Sequence, residues 1–309
     1  MTTALIVGRF EPVHSGHVFL YHAALDLADR VVLALLVSEA DTIPAERRTD
    51  WVRELFPGVE VFHVGEQDDL KRVEADLVVG ADDRIRDIAS LLGVRPVIVD
   101  PDLTAVEVSS NAVRSEPAAY WHALPPVVRA FYARRVCVFG PESTGKTTLV
   151  RMLANHYGTC WMPEYGRQYE EFWQPETWTP AMMREIGEVH EAMRRSLMRQ
   201  ANRVLIEDTD ALITAIWSDR FAGGVDPWFE KTFELADLYL VTDIDVPWVD
   251  DGMRQYGEAG ERRRFLAEAL ELLEARQANY RILSGDWAAR DAAAVAAVDE
   301  LLAGSGLRK

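Results

Sequence analysis

The sequence predicts an α/β protein of two tandem domains, each built on a mainly parallel sheet. Short apolar runs alternate with helix-patterned segments along the whole chain, the signature of βαβ units. The 309 residues also exceed what one hydrophobic core usually organises, roughly 250 to 300. A Pro125-Pro126 break then precedes an apolar helix, after which the alternation restarts. The boundary falls near Arg134, giving domains 1–133 and 134–309.

In the first half, strands are expected at Ala4–Val7, Val31–Val37, Val59–Val64, Leu77–Val79 and Pro96–Val99. Between the first two, Leu20, Ala24, Leu27 and Ala28 share one helical face over Val18–Ala28. The second series starts with a strand at Val136–Phe139 and a helix at Lys146–His156. A long amphipathic helix runs to Ala201, with Thr179 as N-cap and Pro180 at the first helical position. Strands at Val204–Ile206, Leu238–Val241 and Arg281–Leu283 follow, with helices at Arg262–Ala278 and Trp287–Ala303.

Composition narrows what such a chain can do. Hydrophobic residues make up 49% and charged ones 27%, which excludes disordered and fibrous classes. The net charge is 33 − 50 = −17, and both halves are acidic, so neither offers a generic basic footprint for nucleic acid or an anionic membrane. Polyanions would have to be held in local sites. Only Cys137 and Cys160 are present, without a CxxC pair, so both read as small buried hydrophobes. The longest apolar runs are far short of the roughly 20 residues that span a bilayer, and the amino terminus lacks a signal-peptide pattern, so a cytoplasmic location and no membrane partner are expected.

Residues 140–147 read Gly-Pro-Glu-Ser-Thr-Gly-Lys-Thr, a full match to GxxxxGK[ST] between a strand and a helix. Gly140 and Gly145 let the backbone curl around a phosphate chain. The N–H groups from Glu142 through Ser143 and Thr144 to Thr148 would point inward, and the helix N-terminus adds its positive dipole end. Lys146 would meet the β- and γ-phosphates of ATP, and Thr147 would take a place on Mg²⁺. The apolar strand ending Glu207-Asp208-Thr209-Asp210 offers the second magnesium ligand, Asp208 first. Its plainer reading is a cap for the helix beginning near Asp210. Pro163–Gln168 supplies Glu164, Tyr165 and Arg167 together. Val246–Arg254 places Trp248, for stacking on a flat cationic substrate, and Arg254, for charge on a transferred phosphoryl group.

At the end of the first strand, Gly8-Arg-Phe-Glu-Pro-Val-His-Ser-Gly-His17 opens a helix with two imidazoles beside oriented N–H groups. That suits an anionic phosphorus centre. Val108-Ser-Ser-Asn-Ala-Val-Arg114 adds hydroxyls at Ser109 and Ser110 and a guanidinium. Either segment alone has an ordinary reading, an incidental histidine or an N-cap serine.

Together, the GxFxPxHxGH and SSxxxR segments resemble nucleotidyltransferases, in the form with both histidines the nicotinamide mononucleotide (NMN) adenylyltransferases. The tandem order, with GPESTGKTT, PEYGRQY, IEDTD and PWVDDGMR following, resembles NadR-type bifunctional proteins over nearly the whole chain. The resemblance implies a Rossmann-like HxGH domain followed by a P-loop kinase domain that phosphorylates nicotinamide riboside. His14, His17 and Arg114 would be catalytic and contact ATP, with Gly8, Arg9, Phe10, Ser109 and Ser110 in its pocket. Arg48, Trp51, Gly80 and Asp82 would lie on the NMN side. In the kinase, Lys146 and Asp208 would be catalytic. Glu164, Tyr165, Arg167, Asp210 and Trp248 would face the riboside, with Glu164, Asp208 and Asp210 all open as the base and Trp161, Tyr165 and Trp248 all open as the stacking aromatic.

Asn111 stands where the pattern more often has Thr. Relatives in enteric bacteria carry an added helix-turn-helix; with the first strand beginning at Ala4, DNA is not an expected partner. Expected partners are nicotinamide riboside, NMN and ATP, with NAD as product, and a homo-oligomer is compatible. The competing readings keep the kinase but make the first domain a non-catalytic nucleotide sensor, give it another small phosphorylated partner, or make the chain a DNA-binding regulator.

Overall fold

The computed structural model describes residues 1–231, 233–249 and 258–304. The chain divides into two compact units, one to residue 131 and the other from residue 132.

The first unit runs β1 (Thr3–Gly8), α1 (Ser15–Leu27), β2 (Arg30–Leu36), α2 (Ala45–Leu55), β3 (Glu60–Val64), β4 (Leu77–Gly80), α3 (Arg84–Leu92), β5 (Arg95–Ile98) and α4 (Ser110–Ser115). Helix α5 (Pro126–Tyr132) follows the Pro-Pro break. The strands form one parallel sheet in the order β3-β2-β1-β4-β5. One face packs Leu5, Val32, Ala34 and Val78 against Ile85 and Ala89 of α3. Chain direction across the sheet reverses between β1 and β4, and in such sheets ligands bind outside the carboxyl ends of the strands at that switch. Ile6 pairs with Val79, so β1 and β4 run out side by side at Gly8 and Gly80.

The second unit runs β6 (Arg134–Phe139), α6 (Lys146–Tyr157), β7 (Trp161–Met162), α7 (Tyr165–Trp173), α8 (Pro180–Met198), β8 (Val204–Asp208), α9 (Ala211–Ala222) and α10 (Trp228–Lys231). It ends with β9 (Leu238–Thr242), α11 (Ala259–Ala275), β10 (Tyr280–Leu283) and α12 (Trp287–Ala303). Its sheet is parallel, in the order β10-β9-β6-β8-β7. Thr179 caps α8 by accepting from the Met182 N–H, with Pro180 at the first helical turn. Apolar layers cover both faces, Val136, Val138 and Ile206 against α6 and α12 on one, and Phe139, Tyr239 and Val241 against α9 and α11 on the other.

Within the sheet Arg135 and Glu207, both fully buried, form a two-pronged ion pair at 2.6 and 3.0 Å. Arg135 also donates to the Glu234 carbonyl at 2.7 Å, so neither charge is stranded in the core. Cys137 lies in the core, and Cys160 is half-buried with a free thiol. Among the described residues no helix is long and apolar enough to cross a membrane.

Two differences from the sequence reading have simple causes. Helix α2 was not expected because its inward face carries Arg48 and Thr49 beside Trp51 and Val52, which breaks the apolar period. Helix α1 starts at Ser15 rather than Val18, so His14 becomes its N-cap residue and His17 lies in its first turn.

Candidate active sites

A cavity of about 470 Å³ opens at the carboxyl ends of β1 and β4. Gly8, Arg9, Phe10, His14 and His17 line one side, and Ser109, Ser110 and Arg114 another. Gly80 and Asp82 close the β4 side. A side chain at position 80 would meet Ile85 at 2.3 Å, so only glycine lets the strand end approach α3 this closely. Asp82 is held by Arg84, whose hydrogen bonds keep its carboxyl below the usual range.

The two histidines pack with ring centroids 3.9 Å apart. The His14 backbone N–H donates to His17 Nδ1 at 3.2 Å. In the neutral ring the His17 proton therefore sits on Nε2, leaving a donor for a ligand. His14 Nε2 lies 3.1 Å from Ser110 Oγ, which ties α1 to the start of α4. Burial lowers the His14 pKa to about 4, and burial together with His14 holds His17 well below its ordinary value. Both rings are thus neutral donors near neutral pH. Arg114 donates to the Glu11 carbonyl and to Asn111 Oδ1, so the residue that departs from the family pattern helps aim the guanidinium. Ser109 caps α4 by accepting from the Ala112 N–H.

Arg48 and Trp51 fall elsewhere. Arg48 is fully buried and donates to the Arg9 carbonyl at 2.7 Å, the Leu36 carbonyl at 3.0 Å and Asp41 at 2.7 Å. Trp51 is buried against Phe131. Neither lines the cavity, and Arg48 instead fixes the loop that carries Arg9.

In the second unit a cavity is lined by the loop after β6, from Gly140 through Glu142, Ser143 and Thr144 to Thr148, and by Glu164 and Arg167. Gly145 adopts φ +86°, and a β-carbon there would meet Trp287 at 2.4 Å. The Thr144 hydroxyl donates to the Pro141 carbonyl at 2.8 Å, and Arg290 donates to the Thr144 carbonyl at 2.9 Å. Lys146 Nζ reaches the Pro141 carbonyl at 2.8 Å across the mouth of the loop. Strand pairing sets Val138 opposite Asp208, so Asp208 emerges beside the start of α6. The Thr147 hydroxyl donates to Asp208 Oδ2 at 2.5 Å, while Asp208 Oδ1 is buried without a partner among the described residues. Burial raises the Asp208 pKa, opposed by Lys146 and by the Thr147 hydrogen bond. Glu164 is pushed up to about 7 by desolvation, opposed by Lys146 and reinforced by Asp208.

Asp210 departs from its expected place. It is fully buried, caps α9 by accepting from the Leu212 N–H at 3.0 Å and accepts the Tyr239 hydroxyl proton at 2.7 Å. With both oxygens engaged away from the cavity, it is a structural cap with a pKa raised to about 6 by burial. Tyr165 and Trp248 are half-buried and do not line the cavity, nor does Trp161, whose ring lies under Arg151 at 5.2 Å. The wall aromatics are Trp178, Trp217 and Phe221, the last two stacked 5.2 Å apart. Trp217 and Phe221 lie among the apolar residues of α9 and Trp178 in the stretch before α8, where no motif marks them. Arg254 lies outside the described residues. Among the described residues no three His, Cys, Asp or Glu side chains converge on a metal position, so a cation here would draw its other ligands from phosphate and water.

Fold and sites define a chain with two nucleotide-binding α/β units, one like nucleotidyltransferases and one like P-loop kinases. Residues 135–290, just over half of the sequence, match the family described as AAA domain, and the chain belongs to that family. Residues 5–123 match the family described as cytidylyltransferase-like. The chain is 26% identical to the trifunctional NAD biosynthesis/regulator protein NadR of Escherichia coli (strain K12), over 97% of this chain and 83% of that protein. It is 24% identical to the protein of the same name from Salmonella typhimurium, over 98% and 84%. A crystal structure of NadR protein in complex with NR superposes with TM-score 0.83 at 22% identity, covering 100% of this chain and 98% of that one. A second, in complex with NAD and AMP-PNP, superposes at 0.78 with 22% identity, covering 98% and 96%.

Proposed function

We propose that the chain is a bifunctional NAD salvage enzyme of the cytoplasm. Its second domain, residues 134–309, transfers the γ-phosphoryl of ATP to the 5′-hydroxyl of nicotinamide riboside. Its first, residues 1–133, joins the resulting NMN to the adenylyl group of a second ATP. The observation that carries this reading is that each sheet ends, at its own switch point, in a loop and helix start furnished for a polyphosphate. The NadR likeness over nearly the whole chain supplies the substrate class.

In the kinase, Glu164 is the base. A carboxyl with a pKa near 7 is matched to accepting the proton of the riboside hydroxyl as that oxygen attacks the γ-phosphorus and ADP leaves. Lys146 leaves its place on the Pro141 carbonyl to meet the phosphates. Thr147 and the orphaned oxygen of Asp208 are hard oxygen donors that suit Mg²⁺, and they would hold it. Bound there, the ion supplies charge neutralisation on the transferred phosphoryl group. The apolar wall with Trp178 and Trp217 excludes water from the acceptor side and suits a flat cationic ring.

In the adenylyltransferase, the 5′-phosphate oxygen of NMN attacks the α-phosphorus of ATP, and the bond to pyrophosphate breaks. No covalent enzyme intermediate is needed. His17 through Nε2, His14 and Arg114 donate to the phosphate oxygens that gain charge at that centre. Gly80 and Asp82 face the NMN side.

Incubation with nicotinamide riboside, ATP and Mg²⁺, followed by chromatography of NMN and NAD, tests the whole reading. Both products are expected. NMN without NAD would support a first domain that only senses nucleotide.

A further inference from the structure

Helix α8 turns Met183, Ile186 and His190 toward the kinase cavity at helical spacing, and all three line its wall. His190 is the anomaly among them. It is 2% exposed, and among the described residues neither ring nitrogen has a hydrogen-bond partner. Buried polar groups are almost always paired, because an unpaired one costs about 1–3 kcal/mol. The surrounding α8 and α9 wall is mostly apolar, with Ile213 and Trp217 across from the α8 face.

The geometry points to His190 as the residue that recognises a neutral hydrogen-bonding group of the phosphoryl acceptor, a sugar hydroxyl or a carboxamide. The inference rests on the kinase reading above. Desolvation, helped by the nearby Arg135 and Arg194 guanidiniums and opposed by Glu207 and Glu191, holds the imidazole neutral with its pKa lowered to about 4. A neutral ring carries one donor and one acceptor, the complement of a hydroxyl or a primary amide. The phosphates already have their partners in the loop after β6, so the group left for His190 belongs to the acceptor.

The test compares steady-state kinetics of the full chain and its His190→Leu and His190→Gln variants. Substrates are nicotinamide riboside, its 2′-deoxy and 3′-deoxy analogues and the analogue lacking the carboxamide. In His190→Leu the riboside KM should rise about tenfold to a hundredfold with kcat little changed, and His190→Gln should recover most of the loss. One analogue should show the same penalty with the unmodified protein and no further penalty with His190→Leu, which identifies the group. A folded His190→Leu with unchanged kcat/KM on every substrate would overturn the inference and make His190 a packing residue. Absence of riboside phosphorylation by the unmodified protein would overturn the kinase reading itself. If His190→Leu does not fold, the analogue comparison between the unmodified protein and His190→Gln decides: no analogue penalty in the former contradicts the role.

Discussion

Thr147 Oγ1 and Asp208 Oδ2 lie 2.5 Å apart although 61 residues separate them in sequence. The contact follows from the pairing of β6 with β8, which brings the phosphate loop and a strand-end carboxylate to one point. Asp208→Asn should lower riboside phosphorylation about a hundredfold to a thousandfold and raise the Mg²⁺ concentration needed for half-maximal rate. Initial rates across a magnesium series measure both. An unchanged magnesium dependence would remove Asp208 from that role.

Glu164 gives the kinase a pH signature. Desolvation raises its pKa to about 7, and a base must be deprotonated, so kcat/KM for the riboside should rise with pH through about 7 and then level. Glu164→Gln should lose about a hundredfold or more and flatten that limb. The raised pKa has a stability counterpart. The native state holds the proton more tightly than the unfolded chain, so stability falls as pH rises from the ordinary carboxyl value through about 7. Glu164→Gln should therefore melt higher than the unmodified protein at pH 8.

The histidine pair carries the opposite sign. His14 titrates near 4 and His17 also well below its ordinary value of 6.5, so the unfolded state binds protons that the native state does not. Stability from this pair is full above pH 6.5 and falls as pH drops toward 4. NMR titration should find both rings neutral at pH 6 in the free protein. A midpoint near 6.5 for His17 would contradict the packed, hydrogen-bonded ring.

Thr209 lines the kinase cavity at φ +69°, a conformation costly for a β-branched residue. Such strain costs about 1–3 kcal/mol and persists where surrounding structure fixes it. Here Asp208 and Asp210 on either side are held by Thr147 and by Leu212 and Tyr239. Thr209→Asn, which tolerates the left-handed region, should raise the Tm by about 2–4 °C while lowering kinase kcat/KM. Thermal melts and riboside kinetics on the same preparation test the pair of effects.

What was legible in the sequence was what is local. The phosphate loop and the HSGH turn announce themselves because their chemistry needs consecutive residues at a strand-to-helix junction. Substrate walls are not local: Trp178 precedes α8, Trp217 and Phe221 lie on α9, and His190 sits three turns into α8. In sequence none of them belongs to a motif. Asp208 and Asp210, two apart on the same strand exit, could not be separated by pattern. Packing separates them, sending one to Thr147 and the other under Tyr239. Arg48 was placed by resemblance alone, and sequence could not show that its buried guanidinium holds three oxygens of its own unit.

The central claim is that two independent sites perform consecutive steps, and paired substitutions test it most directly. Lys146→Ala should abolish phosphorylation of nicotinamide riboside yet form NAD from supplied NMN, and His17→Ala should do the reverse. Mixing the two folded variants with riboside, ATP and Mg²⁺ should restore NAD formation. Loss of both activities in either folded variant, or no NAD from the mixture while each half-reaction persists, would contradict the account.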